Sequence, residues 1–524
     1  MFNVSAERET NLRRKRADLF GGGRLVIASN RGPLEFQTDD GGALTCRMGC
    51  GGVVTALWQA ARLADVTWVA AAMSEADRRV AANGGPAPED SRTAGCHPRF
   101  VLADQRAYHL HYNVFSNPIL WFIHHSMLDA LHGRDLWNDM EKAWEEGYLP
   151  VNRAFGDAVA EELRRPGSAG VALLQDYHLC LTGRYVRDRV PDAVLQHFMH
   201  VPWPEPSAWL EMPWHITEAM CDGLLANDVV RFQTQASAHN FLLTCLDYAR
   251  GAFVDFEKAV VTYEGRRIRV RSGAVSVDPE YLEREVASPE AQGYLEKLEP
   301  LAGERTILRV DRLDPSKNVL GGFQAFELLL RQHPELRGRV KFLAFLVPSR
   351  TSIPVYRRYA DRVFGLIDRI NATYGSASWR PVEVFHEHNF RQALAGMTLY
   401  DVLLVNPLAD GMNLVAKEGP VVNRRDGVLV LSTKAGAFEE LGKAAVAVCP
   451  QDVKGTAGAL WQALKMPLGE RRRRAGLLRA IIAERDLLAW MVEQLEELHE
   501  VAVGAADESA LVAVGRGSSR EAVA

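Results

Sequence analysis

Charged residues recur in this chain just after short apolar runs. "RTILRVDRLDPSKN" (305–318) ends such a run in Arg312 and Lys317, five residues apart on a loop with a proline. A forked guanidinium and a point ammonium suit a diphosphate; a solvated pair is the plainer reading. Arg350, after "LVPS", is a third cation placed the same way. "NPLADGMNLVAKEG" (406–419) leaves a strand through Asp410 and Gly411 and can open a helix whose first amides, over Met412, Asn413, Leu414 and Val415, face a ligand. Glu418 lies about two turns in, where a carboxylate could accept hydrogen bonds from a ribose, or simply line an exposed helix face. Lys417 beside it has no assignable role and is expected to be solvated. "VALLQDYHL" ends in Asp176 and His178, and "LQHFMH" in His200; a strand-end histidine is also an ordinary structural residue. Gly49, Gly51 and Gly52 precede helical sequence, so their amides could receive a phosphate or form a tight turn. That stretch matches neither the P-loop nor the full dinucleotide fingerprint. "FHEHNF" (385–390) lacks the i, i+4 histidines of a zinc helix, and neither a metal nor another cofactor is expected.

Strand–loop–helix units must position these residues. "RLVIAS", "TWVAAA", "GVALLQ" and "AVLQHFMH" are buried-type strands, and "GCGGVVTALWQAARLA" is a glycine turn opening an amphipathic helix. The alternation restarts with "RTILRV", a helix over 319–332, "VKFLAFLVP", a helix over 354–372, "VEVFHE", "NFRQALAGM", "DVLLVNP", "GVLVLS" and "AVAVCP". Such βα alternation predicts parallel sheets, and two sets of it predict two doubly wound α/β domains. The expected organisation is a flexible segment over 1–22, a first domain over 23–275, a second over 276–484, a crossover helix over 485–503 and a disordered tail over 504–524. The seam falls near Gly273–Pro279. In open sheets of this kind ligands sit outside the carboxyl ends of the strands, where the residues above lie.

The 524 residues suit two or three domains, and 47% hydrophobic with 24% charged residues is the balance of a globular protein. A net charge of −5 argues against nucleic acid held by bulk charge. The seven cysteines are odd in number and scattered, which predicts reduced thiols and a cytoplasmic setting; "CRMGC" alone is a poor metal signature. No apolar run reaches membrane-spanning length, the first residues carry no signal-type core, and no membrane partner is expected.

In order along residues 24 to about 500, "SNRGP", "GGV", "YNVFSNPILW", "GYLPVN", "QDYHL", "HFMHVPWP", "FQT", "RVDRLDPSKN", "PSR" and "DGMNLVAKE" resemble the motifs of the trehalose-6-phosphate synthase family. These are retaining glycosyltransferases of the GT-B fold, with two Rossmann-like domains facing a central cleft. The resemblance implies transfer of glucose from an NDP-glucose (GDP- or UDP-glucose) to glucose 6-phosphate, giving α,α-trehalose 6-phosphate in trehalose biosynthesis. It implies that Arg31, Tyr112, Trp121 and Arg350 form the acceptor pocket and that Asp176 touches the acceptor hydroxyls near the reaction. It assigns the donor diphosphate to Arg312 and Lys317 with the glycine loop at Gly51 and Gly52, the transferred glucose to His200 and Asp410, the ribose to Glu418, and further donor contacts to the amides from Gly411 to Val415. The partners implied are these two small molecules, with a homo-oligomer left open. Four departures stand out: Ala409 and Gln175 replace an arginine and a histidine, Arg231 replaces a glycine before "FQT", and "RSGAVSVDP" replaces a proline-containing strand end. Asn406 and "KEGP" look like the actinobacterial branch. Two alternatives share the fold: a pseudo-glycosyltransferase forming a C–N bond between an NDP-cyclitol and an aminocyclitol phosphate, and a non-catalytic sugar-phosphate sensor.

Overall fold

The computed structural model describes residues 21–38, 42, 44–48, 54, 57–58, 65–83, 95–131 and 139–518, those beyond 504 by backbone alone. The expected flexible start therefore falls almost wholly outside the described residues, and so do Gly49, Gly51, Gly52 and most of the helix expected after them. The chain divides into two compact units. One comprises Met1–His124, Leu128–Gly273 and Leu488–Ala524; the other comprises His125–Met127 and Ala274–Leu487.

The first unit is built on β1 (Arg24–Ser29), β4 (Val66–Ala71), β5 (Cys96–Val101), β6 (Ser168–Gln175), β7 (Val194–Met199) and β8 (Val229–Phe232), with a hairpin of β2 (Leu34–Thr38) and β3 (Leu44–Met48) inserted after β1. The strand order β5-β4-β1-β6-β7-β8 is that of a doubly wound dinucleotide-type sheet, reversing direction between β1 and β6. These strands are parallel, and all six positions of β4 and of β7 are buried, as expected where helices cover both faces. The parallel sheet gains an antiparallel edge that strand–helix alternation does not foretell. Beyond β8 come β11 (Arg266–Ser272), β10 (Val260–Tyr263) and β9 (Phe253–Asp255), the last three paired antiparallel. Two tight turns, with Gly265 at φ 76° in one of them, reverse a chain too short for helical crossovers.

The second unit holds β12 (Arg305–Arg312), β13 (Val340–Val347), β14 (Val382–Phe385), β15 (Val402–Val405), β16 (Val428–Ser432) and β17 (Val446–Val448). Its order, β14-β13-β12-β15-β16-β17, repeats the same winding, all parallel, and reverses between β12 and β15. Helix α1 (Val319–Gln332) presents Val319, Phe323, Phe326 and Leu330 at i, i+4, i+7 and i+11 to a core shared with Ile307, Phe342 and Leu404. Helix α2 (Val415–Val422) follows β15.

The last helix, α3 (Leu487–Ser518), continues past Gly504, where a disordered tail was expected. The segment after Gly504 is rich in alanine and lacks proline, which lets the helix continue. Its first part packs on the first unit through Trp490, Met491, Leu495 and Leu498. Arg231, a departure noted above, is 2% exposed and bonds Glu493 and Glu497 of α3, each at 2.9 Å. Cys96, Cys180, Cys221, Cys245 and Cys449 are free thiols, and no described helix is long and apolar enough to cross a membrane.

Candidate active site

In each unit most of the described residues picked from the sequence lie at the carboxyl ends of strands at or next to the reversal, while Tyr112 and Trp121 stand on helical segments over 110–124.

In the first unit β1 ends at Ser29, whose hydroxyl accepts from Trp68 Nε1 at 2.8 Å and donates to the Arg31 carbonyl at 2.5 Å. That fixes the turn on which Arg31 stands, its exposed guanidinium 3.3 Å from Glu35. Tyr112 stacks on Tyr108 (5.9 Å) and on His178 (5.8 Å), and Trp121 is buried against Tyr177. Across the reversal, β6 ends at Gln175 and the chain enters Asp176 at φ 72°, ψ 169°. That backbone region is essentially reserved for glycine, and an aspartate held there stores strain of about 1–3 kcal/mol. Three hydrogen bonds to the end of β7 hold it. Its N–H donates to the Phe198 carbonyl (2.7 Å), its carbonyl accepts from His197 Nε2 (3.1 Å), and its Oδ1 accepts from the His200 N–H (3.2 Å). The His200 ring is buried, with Nδ1 3.0 Å from Gln233 Nε2 and Nε2 2.9 Å from Gln175 Oε1. Burial, with His197 beside it, pushes its pKa down to about 3, so the ring is neutral.

In the second unit Arg312 closes β12 and is exposed. The buried Asp314 that follows caps the next turn, its Oδ1 accepting from the Ser316 N–H and hydroxyl at 3.0 Å each. Its Oδ2 takes Arg350 NH1 at 2.8 Å, and the same nitrogen bonds the Tyr356 hydroxyl at 2.7 Å. Burial opposes ionisation of Asp314, yet Arg350 and Arg312 hold its carboxyl below the usual range. Across the reversal, Asp410 forms an ion pair with Lys317 and accepts from Asn413 Nδ2 at 3.0 Å. It too stays below the usual carboxylate range: burial opposes, and Lys317 prevails. Gly411 and Met412 are buried, Leu414 caps α2, and Val415 begins it. Arg350 (φ 46°) and Asn413 (φ 75°) join Asp176 among the non-glycine residues at positive φ, so three of the positions singled out from sequence carry backbone strain.

Glu418 is half-buried on α2, its N–H bonding the Leu414 carbonyl at 2.8 Å and its carboxyl making no hydrogen bond or ion pair among the described residues; burial pushes that carboxyl from 4.5 up to about 7. Its neighbour corrects an expectation. Lys417 is not solvated but 1% exposed, its Nζ 3.0 Å from the Val275 carbonyl and 2.5 Å from Glu440. An eight-residue helix with Ala416, Gly419, Pro420, Val421 and Val422 buried leaves little free surface.

Four residues with site-building roles escaped the sequence reading: Asp314, Gln233, Gln175 as a partner of His200, and Arg309. Arg309 is fully buried, bonding Asp311 (2.8 Å), Asn406 Oδ1 (2.7 Å) and the Lys317 carbonyl (2.7 Å). An arginine between the apolar Leu308 and Val310, two residues before an aspartate, was the available signal, since it needs buried acceptors.

A family model described as glycosyltransferase family 20 matches residues 23–500. The chain belongs to that family. Among relatives of this family member, the bifunctional trehalose-6-phosphate synthase/phosphatase of Thermoproteus tenax is 32% identical over 89% of the chain and 62% of the relative. The chain thus spans less than two thirds of that relative's length. The trehalose-6-phosphate synthase of Cronobacter sakazakii is 33% identical over 77% of the chain and 82% of the relative. A solved UDP-forming α,α-trehalose-phosphate synthase of Burkholderia xenovorans, in complex with glucose-6-phosphate, superposes with a TM-score of 0.77 at 27% identity, covering 91% of this chain and all of that one. The two doubly wound units are the Rossmann-like domains of the GT-B fold.

Proposed function

We propose that this chain transfers glucose, with retention, from a nucleoside diphosphate glucose to glucose 6-phosphate, forming α,α-trehalose 6-phosphate. The observation that carries the reading is the second unit's cluster at the reversal between β12 and β15. Lys317 and Asp410 meet there beside Asn413 and the start of α2, with Arg312 at the adjacent strand end. A departing diphosphate needs positive charge where its negative charge develops, and Arg312, Lys317 and the amides of 411–415 supply it. Asp410 takes the hydroxyls of the transferred glucose, and Glu418 takes the ribose. In the first unit, Arg31, Tyr112 and Trp121 receive the acceptor, with Asp176 at the reacting hydroxyl; in the second, Arg350 is assigned to phosphate. Front-face attack, with the leaving phosphate helping to take the acceptor proton, accounts for retention without a carboxylate nucleophile. The UDP-forming relative favours UDP-glucose as donor. The setting is cytoplasmic.

The deciding assay offers purified protein glucose 6-phosphate with UDP-, GDP- or ADP-glucose in turn and reads products by mass. A disaccharide phosphate from at least one donor is expected; no such mass from any of them rejects the proposal.

Two further outcomes follow from the geometry. The Arg31 guanidinium is exposed and bonds Glu35 at 3.3 Å, so Arg31→Ala removes a phosphate contact without unmaking the core. A lost hydrogen bond to a charged group, about 1.5–3 kcal/mol, raises the acceptor's KM roughly 10–100-fold and leaves the donor's nearly unchanged. Equal rises for both substrates would take Arg31 out of the acceptor pocket.

The second concerns pH. Folded, the Glu418 carboxyl holds its proton up to about 7, against an ordinary 4.5. Between those values the folded chain binds the extra proton, so this group's contribution to stability falls as pH rises through the window. An ionised carboxylate accepts from both ribose hydroxyls, so the donor's KM should fall as pH rises through about 7. Glu418→Gln should flatten that dependence; a donor KM profile identical in wild type and variant would detach Glu418 from the ribose.

A further inference from the structure

Three consecutive parallel strands end side by side in the first unit. β6 closes on Gln175, β7 is followed by His200, and β8 is followed by Gln233. All three side chains are buried, at 1%, 8% and 3% exposure. A neutral imidazole offers one donor and one acceptor. Gln233 Nε2 donates to Nδ1 at 3.0 Å, so the ring proton sits on Nε2 and is given to Gln175 Oε1 at 2.9 Å. Both ring nitrogens are thereby occupied, and Phe198 stacks on the ring at 4.5 Å.

We propose that Gln175 and Gln233 are positioning residues that lock His200 in the neutral Nε2–H tautomer, and that this lock holds Asp176 in its strained backbone geometry at the reacting hydroxyl. The second clause rests on the function proposed above. The link to Asp176 is direct: the backbone N–H of His200 donates to its Oδ1, and two further bonds from the same strand end, at Phe198 and His197, hold its main chain. A ring free to turn would loosen the residue whose N–H steers that carboxylate. Protonation is opposed from two sides, by burial and by the Gln233 amide, which would then face a second donor. The charged and titratable groups around the ring are the His197 imidazole, itself pushed down to about 4 by burial, and the Asp176 carboxylate. Gln175 Nε2 is buried without a partner among the described residues. An amide whose carbonyl end is used and whose other end is left unsatisfied is retained for what the carbonyl does.

The test combines ring ¹⁵N spectra of His200, recorded without substrate, with turnover. Wild type should show a single neutral Nε2–H signature from pH 5 to 8. Gln175→Met, similar in size but without the acceptor, should give mixed tautomers and lower kcat roughly tenfold, the equivalent of one buried hydrogen bond, with both KM values changed less than about threefold. Gln175→Glu keeps an acceptor but adds charge. It should restore the Nε2 proton and introduce a protonation of His200 in the spectra and a matching new limb in the pH dependence of kcat that wild type lacks. A wild-type ring that is Nδ1–H or charged at pH 7 overturns the lock. A Gln175→Met protein with mixed tautomers and unchanged kcat overturns the positioning of Asp176. An inactive wild type that still shows the Nε2–H signature would sink the glucose transfer and leave the lock standing.

Discussion

Arg312→Ala should lower turnover about 10²–10³-fold, the usual loss when one preorganised donor is removed from developing negative charge, while the protein melts where wild type does. The side chain is exposed at the end of β12, so its removal opens no core. Lys317→Ala should cost as much in turnover but is a less clean variant. Lys317 is 13% exposed and forms an ion pair with Asp410, which would be left with Asn413 as its hydrogen-bonding partner. Its carboxyl would then rise toward the ordinary range or above, since burial favours the neutral form. Turnover of Lys317→Ala should therefore depend on pH more steeply than that of Arg312→Ala. Steady-state rates with circular dichroism melting curves separate the cases. A folded Arg312→Ala protein with near-normal kcat would remove this residue from the diphosphate clamp.

How far the site could be read from sequence follows from how local each signal is. An apolar run ending in Asp, His, Arg or Lys is visible within ten residues, and the strand ends of β1, β6, β7, β12 and β15 were legible for that reason. The parallel winding followed from strand–helix alternation. The partners were not legible. Asp314 meets Arg350 across 36 positions, Lys317 meets Asp410 across 93, and Gln233 meets His200 across 33. Such pairs exist only once the strand order is known. The left-handed backbone at Asp176, Arg350 and Asn413 was hidden for a different reason. These residue types give no sign, as glycine would, that the chain must turn that way. The hairpin of β2 and β3 and the antiparallel edge were missed because β2, β3, β9 and β10 are at most five residues long, although the alternation of Ile268 and Val270 in the seven-residue β11 was available to be read.

Lys417 shows the cost of reading a charge as solvated because its sequence neighbours gave it no task, and it carries the second large expectation. Its side chain is 2% exposed and its ammonium lies 2.5 Å from the buried Glu440 carboxylate, with the Val275 carbonyl at 3.0 Å. Burial lowers its pKa, and Glu440 limits that fall. Lys417→Met keeps most of the side-chain volume and removes the charge. Among the described residues Glu440 then keeps Arg485, 3.9 Å away, and the Val275 carbonyl loses this donor. Breaking one partner out of a buried pair costs about 3–5 kcal/mol, which in a unit of this size lowers the melting midpoint by roughly 10 °C. Replacing both members, Lys417→Met with Glu440→Gln, should recover part of that loss, because the double variant leaves no buried carboxylate unpaired. Differential scanning calorimetry on the two single variants and the double variant reads this directly. If Lys417→Met melts within about 2 °C of wild type, the pair is stabilising neither the helix that carries Glu418 nor the unit around it. If the double variant melts as low as the sum of the singles, the two side chains act independently and the ion pair is not what holds Lys417 in place.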